Sequence, residues 1–393
     1  MRGSYGEVGN DQIGGDRFLY LPSSYGAASD SGVNKYNFGL ASNPYTSLMI
    51  VENKIGNPDL TWEKAKKMNV GVDINLFNNC LTASFDIFKE KRNNILANRS
   101  TSPMIIGANL PAYNFGEMEN LNFRHHIQDF HYWARFNYSF ARNEIIYMDE
   151  VQKRYDYQMT TGRRKNQFFG LIFDGYYNSW EEINALDRPK SSWSGNQLQP
   201  GDVKYVDVNQ DGVIDDYDMV PIGYTPVPEI IYGFSFGAQY KGFDFSILFQ
   251  GADNVSIKYF GRSMWPFAKG EESAKSLIKG RWTQERYEAG EKITFPRLSL
   301  NPNGETDHNY RPSTLWIRDA SYLRLKNLEV GYTFTGGFVK RLNLNSVRLY
   351  FNGSNLFTWT DVVDLDPEAP SRSGNVEINT YPLQKVYNIG LNI

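Results

Sequence analysis

The last thirteen residues, 381–393, constrain this chain more than any other stretch. Read alternately, Leu383, Tyr387, Ile389, Leu391 and Ile393 fall on one face, and Gln384, Asn388, Gly390 and Asn392 fall on the other. A period of two belongs to a strand, so the segment has one apolar and one polar face. The apolar face persists to the final residue. The last strand of a soluble sandwich usually frays into polar residues, whereas a strand that closes an outer-membrane barrel stays lipid-compatible to its end.

The same alternation recurs upstream. Met68, Val70, Val72, Ile74 and Leu76 alternate with Asn69, Gly71, Asp73 and Asn75, and after Asn78-Asn79 the pattern resumes at Leu81, Ala83, Phe85 and Ile87, which predicts a hairpin. Tyr132 to Phe140 forms a further strand. The clearest hairpin is Tyr232, Phe234, Phe236, Ala238 and Tyr240, then Lys241-Gly242, then Phe243, Phe245, Ile247 and Phe249. One face is oily and the other wet over about nine residues per strand, enough to cross a bilayer at a tilt. Leu328 to Phe334 and Val347 to Phe351 add two more, and roughly eleven strand candidates are expected in all.

Composition fits strands with one greasy face. The 393 residues include 26 Tyr and 25 Phe, yet the mean hydropathy is negative. No run approaches the roughly 18 to 20 apolar residues of a membrane helix, which excludes a helical membrane protein and leaves a barrel open. A formal net charge of -3 argues against a nucleic-acid partner. Cys80 is the single cysteine, so no internal disulfide is possible. Met1 to Gly6 carry no apolar h-region of a signal peptide, so the expectation is either a cytoplasmic chain or part of a longer protein.

Residues 9–60 are rich in Gly, Asn, Ser and Pro and read as a long loop. Connections further on alternate between tight turns and long stretches such as 254–315 and 359–380, a pattern of barrels rather than compact domains. Counting back from Ile393 places 177–228 on the long-loop side, but counting forward from Asn78-Asn79 places it on the other. One strand between about 145 and 230 is therefore missing or surplus, with Asp202 to Val208 the expected omission.

The most specific motif is Asp207-Val208-Asn209-Gln210-Asp211-Gly212-Val213-Ile214-Asp215-Asp216-Tyr217-Asp218. Oxygen donors at Asp207, Asn209, Asp211, Asp215 and Asp218, the Val213 carbonyl and the turn glycine Gly212 match a calcium loop of the EF-hand kind. Asp218 stands where a sensor has bidentate Glu, and helical patterns do not flank it. A structural Ca2+ staple over 201–220 is the expectation, against an acidic Asx-turn loop without metal. His125, His126 and His131 are weak metal candidates, because neighbours on a strand point to opposite faces. No H-E-x-x-H, G-x-S-x-G or phosphate loop is present, so no enzyme is expected. Trp180, Trp193, Trp265 and Trp282 lie in long loops, where they are speculative substrate-stacking residues. Packing or an interfacial girdle is the favoured role for most of them. Lys269 to Gly280 has the spacing of a short helix.

Several segments, taken in order, resemble a known family: Asn57-Pro58-Asp59-Leu60-Thr61-Trp62-Glu63-Lys64, Asn114-Phe115-Gly116-Glu117-Met118-Glu119-Asn120, Gly201-Asp202-Val203-Lys204-Tyr205 running into the acidic loop, Ile317-Arg318-Asp319-Ala320-Ser321-Tyr322-Leu323-Arg324-Leu325-Lys326-Asn327, and Asn352-Gly353-Ser354-Asn355-Leu356-Phe357. The chain is similar here to the SusC/RagA-type TonB-linked outer-membrane transporters of Bacteroidetes. Leu121 to Asp129 departs from the family pattern. The resemblance implies an all-β, antiparallel transmembrane β-barrel, with residues 1–393 as about half of a TonB-dependent receptor barrel of about 22 strands. It implies cell outer membrane localisation, an importer of glycans or peptides, a SusD-like surface lipoprotein as partner, contact with outer-membrane lipid, and energy from TonB-ExbB-ExbD through an N-terminal plug region absent from this sequence. Two alternatives stand beside it: a soluble secreted β-sandwich that binds glycans and is stapled by calcium, and a non-functional truncated remnant of the transporter.

Overall fold

The computed structural model describes residues 1–10, 25–27, 35–38, 45–48, 50–52, 63–78, 80–97, 108–127, 130–148, 150–193, 198–259, 265–267, 276–299, 307–363, 365–368, 375–376 and 383–393. Ten long strands form one antiparallel sheet: β1 (Arg2–Asn10), β2 (Glu63–Leu76), β3 (Leu81–Ala97), β4 (Ala108–Ile127), β5 (Phe130–Ile145), β6 (Ile230–Tyr240), β7 (Phe243–Asp253), β8 (Tyr322–Phe334), β9 (Val347–Thr360) and β10 (Val386–Asn392). Each strand pairs only with its neighbours in chain order, so the sheet is a meander with β1 and β10 as its edges.

The expected hairpin between β6 and β7 is present. Tyr240 pairs with Phe243, leaving Lys241-Gly242 as a two-residue turn with φ of 45° and 89°. Positive φ at both central positions matches the twist of the flanking strands. Between β2 and β3, Phe77 and Asn78 also have positive φ, and the Cys80 amide donates to the Phe77 carbonyl at 3.1 Å; Asn79 of the expected turn lies outside the described residues.

Register carries the sequence alternation across the sheet. Phe136, Phe234 and Phe249 form one cross-strand row, while Phe245, Val330, Phe351 and Ile389 form another. These side chains stay open to the surroundings: Phe243 is 61% exposed, Leu391 56% and Ile389 80%. Among the described residues no second sheet covers them, which removes the β-sandwich alternative, because a sandwich buries such faces between two sheets.

The opposite face is polar and cross-linked. Arg348 meets Glu329 at 2.6 Å and Asp244 through a fork whose Nε bond is 3.0 Å. Asn388 donates to Asn352 at 2.9 Å, and Arg2 bridges Asp73 and Asp86. Glycines on this face leave room for large neighbours. A Cβ on Gly237 would stand 2.4 Å from the Trp133 ring, and one on Gly390 would stand 2.2 Å from Tyr350.

Two strands are missing from the sequence reading, β1 and β4, and the one that restores the count of sides is β4, upstream of the interval where it was expected. Asp202 to Val208 does not join the barrel wall; Val203–Tyr205 instead pairs with Phe173–Tyr176 in a separate two-stranded sheet. Pattern reading misses β4 because Glu117 and Glu119 stand in register with Ile87 and Phe85, which breaks the alternation. With β4 counted, the two ways of counting agree. The connections 77–80, 128–129, 241–242 and 335–346 lie at one end of the sheet, and 98–107, 146–229, 254–321 and 361–385 lie at the other. The expected helix over Lys269 to Gly280 falls largely outside the described residues, and its last turn is a 3-10 helix, Ser276–Gly280.

The buried core lies in the long connections, not on the sheet. Leu171, Val203, Tyr259, Phe295, Tyr310 and Trp316 are nearly inaccessible and pack together into a cap built mainly from 146–229 and 254–321. Asp202 joins the two connections: its carboxylate accepts from Arg297 Nε at 2.6 Å, Asn309 Nδ2 at 2.8 Å and the Gln199 amide at 2.7 Å. His308 adds a second tie. Its Nε2 lies 2.8 Å from the Val203 carbonyl and its Nδ1 lies 3.0 Å from Ser191 Oγ. A carbonyl can only accept, so Nε2–H donates to it, and Nδ1 accepts from the serine hydroxyl. Burial holds the imidazole below its ordinary range, although the Val203 carbonyl and the Asp202 charge pull the other way.

Two outcomes follow from this packing. Gly237→Val should destabilise the folded protein by about 1–3 kcal/mol, since the new side chain must displace the Trp133 ring; urea titration in detergent reads the loss. An imidazole held neutral takes up its proton more readily when unfolded, so cap stability should fall as the pH drops through about 6.5. Limited proteolysis of 254–321 should therefore be faster at low pH, and His308→Gln should flatten that dependence.

Candidate functional site

The acidic loop, 207–218, is held by its own side chains. Asp207 Oδ2 accepts from the Gly212 amide at 2.8 Å, Asn209 Oδ1 from Asp211 at 2.9 Å, Asp211 Oδ1 from Val213 at 2.9 Å and Asp215 Oδ1 from Tyr217 at 2.7 Å. Asp218 is fully buried. Its Oδ1 accepts from Val208 at 2.8 Å and its Oδ2 from Asp215 at 2.9 Å. Gly212 has φ of 82°, which places the sharp turn where the sequence puts its glycine. Ile214, the apolar position of the motif, is buried in the cap core, and Val213–Ile214 pairs with Lys190–Ser191.

Burial pushes the Asp218 carboxyl up and the nearby Asp207 charge adds to the rise, while the Asp215, Val208 and Asn209 amides oppose it. Asp207 Oδ1 is buried and has no hydrogen-bond partner. Among the described residues no group of three or more His, Cys, Asp or Glu side chains stands ready to hold a metal. The donors are nonetheless all oxygen, the chemistry of a hard cation, and the orphaned Asp207 oxygen is a buried acceptor open to it.

The four loop tryptophans do not form one surface. Trp265 and Trp282 belong to the cap core, and Trp282 Nε1 donates to Asn178 Oδ1 at 3.1 Å. Trp193 is partly buried under the Arg311 guanidinium, 4.1 Å from its ring. Only Trp180, at the start of the helix Trp180–Asn184, keeps an open ring. The surrounding cap covers the rings of Trp265 and Trp282, as packing residues require. Across β4 and β5, position 126 stands opposite His131 and position 125 opposite Tyr132.

Sequence reading missed a tyrosine and arginine cluster beside the acidic loop. The rings of Tyr155 and Tyr157 stack at 5.2 Å, nearly parallel, and Tyr217 meets Tyr155 edge-on at 6.0 Å. The Arg154 guanidinium lies 5.4 Å from Tyr155 and 5.0 Å from Tyr217. Tyr157 Oη donates to the Tyr217 carbonyl at 2.7 Å, and Gln158 Nε2 to the Asp216 carbonyl at 2.9 Å, which docks 152–158 on the acidic loop. The run Arg154-Tyr155-Asp156-Tyr157-Gln158 was the available signal. Its partner Tyr217 is too distant in sequence for any spacing rule to pair them.

No family model matches the chain. It is 27% identical to TonB-dependent receptor P3 of Formosa agariphila, over 100% of this chain and 39% of the relative. It is 25% identical to TonB-dependent receptor SusC of Bacteroides thetaiotaomicron, over 100% of this chain and 37% of the relative. Its fold is similar to that of the RagAB peptide transporter, with a TM-score of 0.65 at 23% identity, covering 98% of this chain and 39% of that one. The strand order, the two unlike faces and the end-to-end similarity agree: the chain is similar to TonB-dependent receptors, SusC among them, and spans 39% of the length of the first of these relatives.

Proposed function

We propose that this chain is a wall and outer-loop segment of an outer-membrane, TonB-dependent importer that takes up glycans or peptides with a SusD-like surface lipoprotein. The observation that carries the reading is the ten-strand meander with an exposed apolar face, a polar ion-paired face, and long connections at one end only. Lipid meets the apolar face, water fills the polar side, and the cap faces outward, as in barrels with short turns on the inner side and long loops outside. Energy arrives through TonB-ExbB-ExbD at a plug that the rest of the protein supplies. No side chain is assigned a catalytic role. The relatives' names support a receptor or transporter, and RagAB is a peptide importer, so both substrate classes stand.

The acidic loop is a structural calcium site in this reading. Asp207, Asn209, Asp211, Asp215, Asp218 and the Val213 carbonyl would hold Ca2+, which would offset the carboxylate repulsion and fix the loop. Extracellular modules of this kind bind at about 10⁻⁴–10⁻³ M.

Two measurements test these points. Native cells expressing the chain should yield it in the outer-membrane fraction, extractable only with detergent; a monodisperse detergent-free monomer would refute the barrel assignment. Millimolar Ca2+ should slow proteolysis within 201–220, and Asp207→Ala should abolish that protection. Because the buried Asp218 carboxyl must ionise to ligate, the calcium effect should weaken as the pH falls toward the carboxylate range.

A further inference from the structure

The tyrosine and arginine cluster borders an open cavity of about 690 Å³, lined by Gln152, Lys153, Arg154, Gln158, Asp216 and Tyr217. That volume lies within the range of about 300–1,000 Å³ typical of small-molecule sites. We propose that this cavity is a saccharide subsite. The inference rests on the reading of the cap as the outward, ligand-facing end of a nutrient receptor, and it selects one of the two substrate classes left open there.

The chemistry of the wall carries the choice. Lys153 and Arg154 offer N–H donors only, and among the described residues neither meets a carboxylate. Asp216 offers acceptors only, and its carboxylate lies 3.9 Å from Arg311. Gln152 and Gln158 carry amides that both donate and accept. A wall that mixes unpaired donors with acceptors is satisfied by groups that do both at once. Sugar hydroxyls do, and neighbouring hydroxyls match planar, two-pronged groups such as a guanidinium, an amide or a carboxylate.

The exposed Tyr217 ring gives the flat surface against which the C–H face of a pyranose lies. A peptide would need an open strand edge or apolar pockets for its side chains. The cavity is lined by five polar or charged residues and one tyrosine, and offers neither. Asp216 stands in the same wall as Lys153 and Arg154, so donors and acceptors of both charges are offered together, which suits a neutral sugar.

The site is also preorganised. Arg154 is sandwiched against two rings, and hydrogen bonds from Tyr157 and Gln158 lock the segment onto the acidic loop, so little side-chain freedom remains to be lost on binding.

The test uses the full chain in detergent, screened against a printed panel of neutral and acidic oligosaccharides and a tripeptide library, with hits followed by calorimetric titration. The expected result is binding of at least one neutral oligosaccharide. Tyr217→Ala and Arg154→Gln should each weaken it at least tenfold, while Tyr217→Phe, which keeps the ring, should retain it. The inference is overturned if no saccharide on the panel binds, if binding is indifferent to both substitutions, or if only peptides bind. Outer-membrane fractionation of the same protein reads the receptor assignment separately. A membrane-located chain that binds no sugar would overturn the subsite and leave that assignment standing.

Discussion

Backbone hydrogen bonding away from water is the constraint on which the rest of this structure depends. Inside a bilayer, peptide N–H and C=O groups find no solvent partner, so every strand must be paired on both sides. The eight inner strands meet that demand through a continuous ladder, and among the described residues β1 and β10 meet it on one side only. A sheet with two such edges is complete only when further strands pair with them. The 39% share of the relatives' length that this chain spans accords with that need.

The same constraint separates the molecule into two kinds of packing. Among the described residues the sheet has no protein core over its apolar face, and its other face is held by partly exposed ion pairs such as Arg348 with Glu329. Such pairs contribute little individually when solvated. The cap is built like a soluble domain, with Trp316, Tyr310 and Phe295 buried together and buried polar groups joined in pairs, as Asp202 is to Arg297 and Asn309. Arg324 links the two parts. It is buried at the rim of β8 and binds Asp366 at 2.6 Å and Glu368 at 3.0 Å, so the last long connection is tied to the barrel wall.

How much of this was legible in the sequence varied with distance along the chain. The β6–β7 hairpin needed only alternation and Lys241-Gly242, and the terminal strand needed only period two; both are local, and the register agrees with both. β4 escaped because two glutamates interrupt its apolar positions and its pairing is set by β3 and β5 on either side. The register shift between Leu325 and Asn327 escaped too, yet Lys326 reaches Glu368 from within it. In the site, the acidic loop was legible because its donors and its glycine are contiguous. The fate of the tryptophans was not, since a ring in a loop is covered or open according to what packs on it, and Trp282 is covered by segments drawn from both long connections.

By itself, then, the sequence determined which face of each clear strand is oily, where the tight turns fall, and which loop carries an oxygen-rich turn, because all three are dictated by neighbours within a few residues. Only the tertiary structure decided that β4 completes the meander, that the long connections fold into a cap with its own core, and that Arg154 meets Tyr155 and Tyr217 beside one cavity. The cavity depends on contacts such as that between Tyr157 and Tyr217, 60 positions apart, and β4 on pairing with both of its neighbours along its length. Chain connectivity places no periodic signal at that range, and only packing selects the partner.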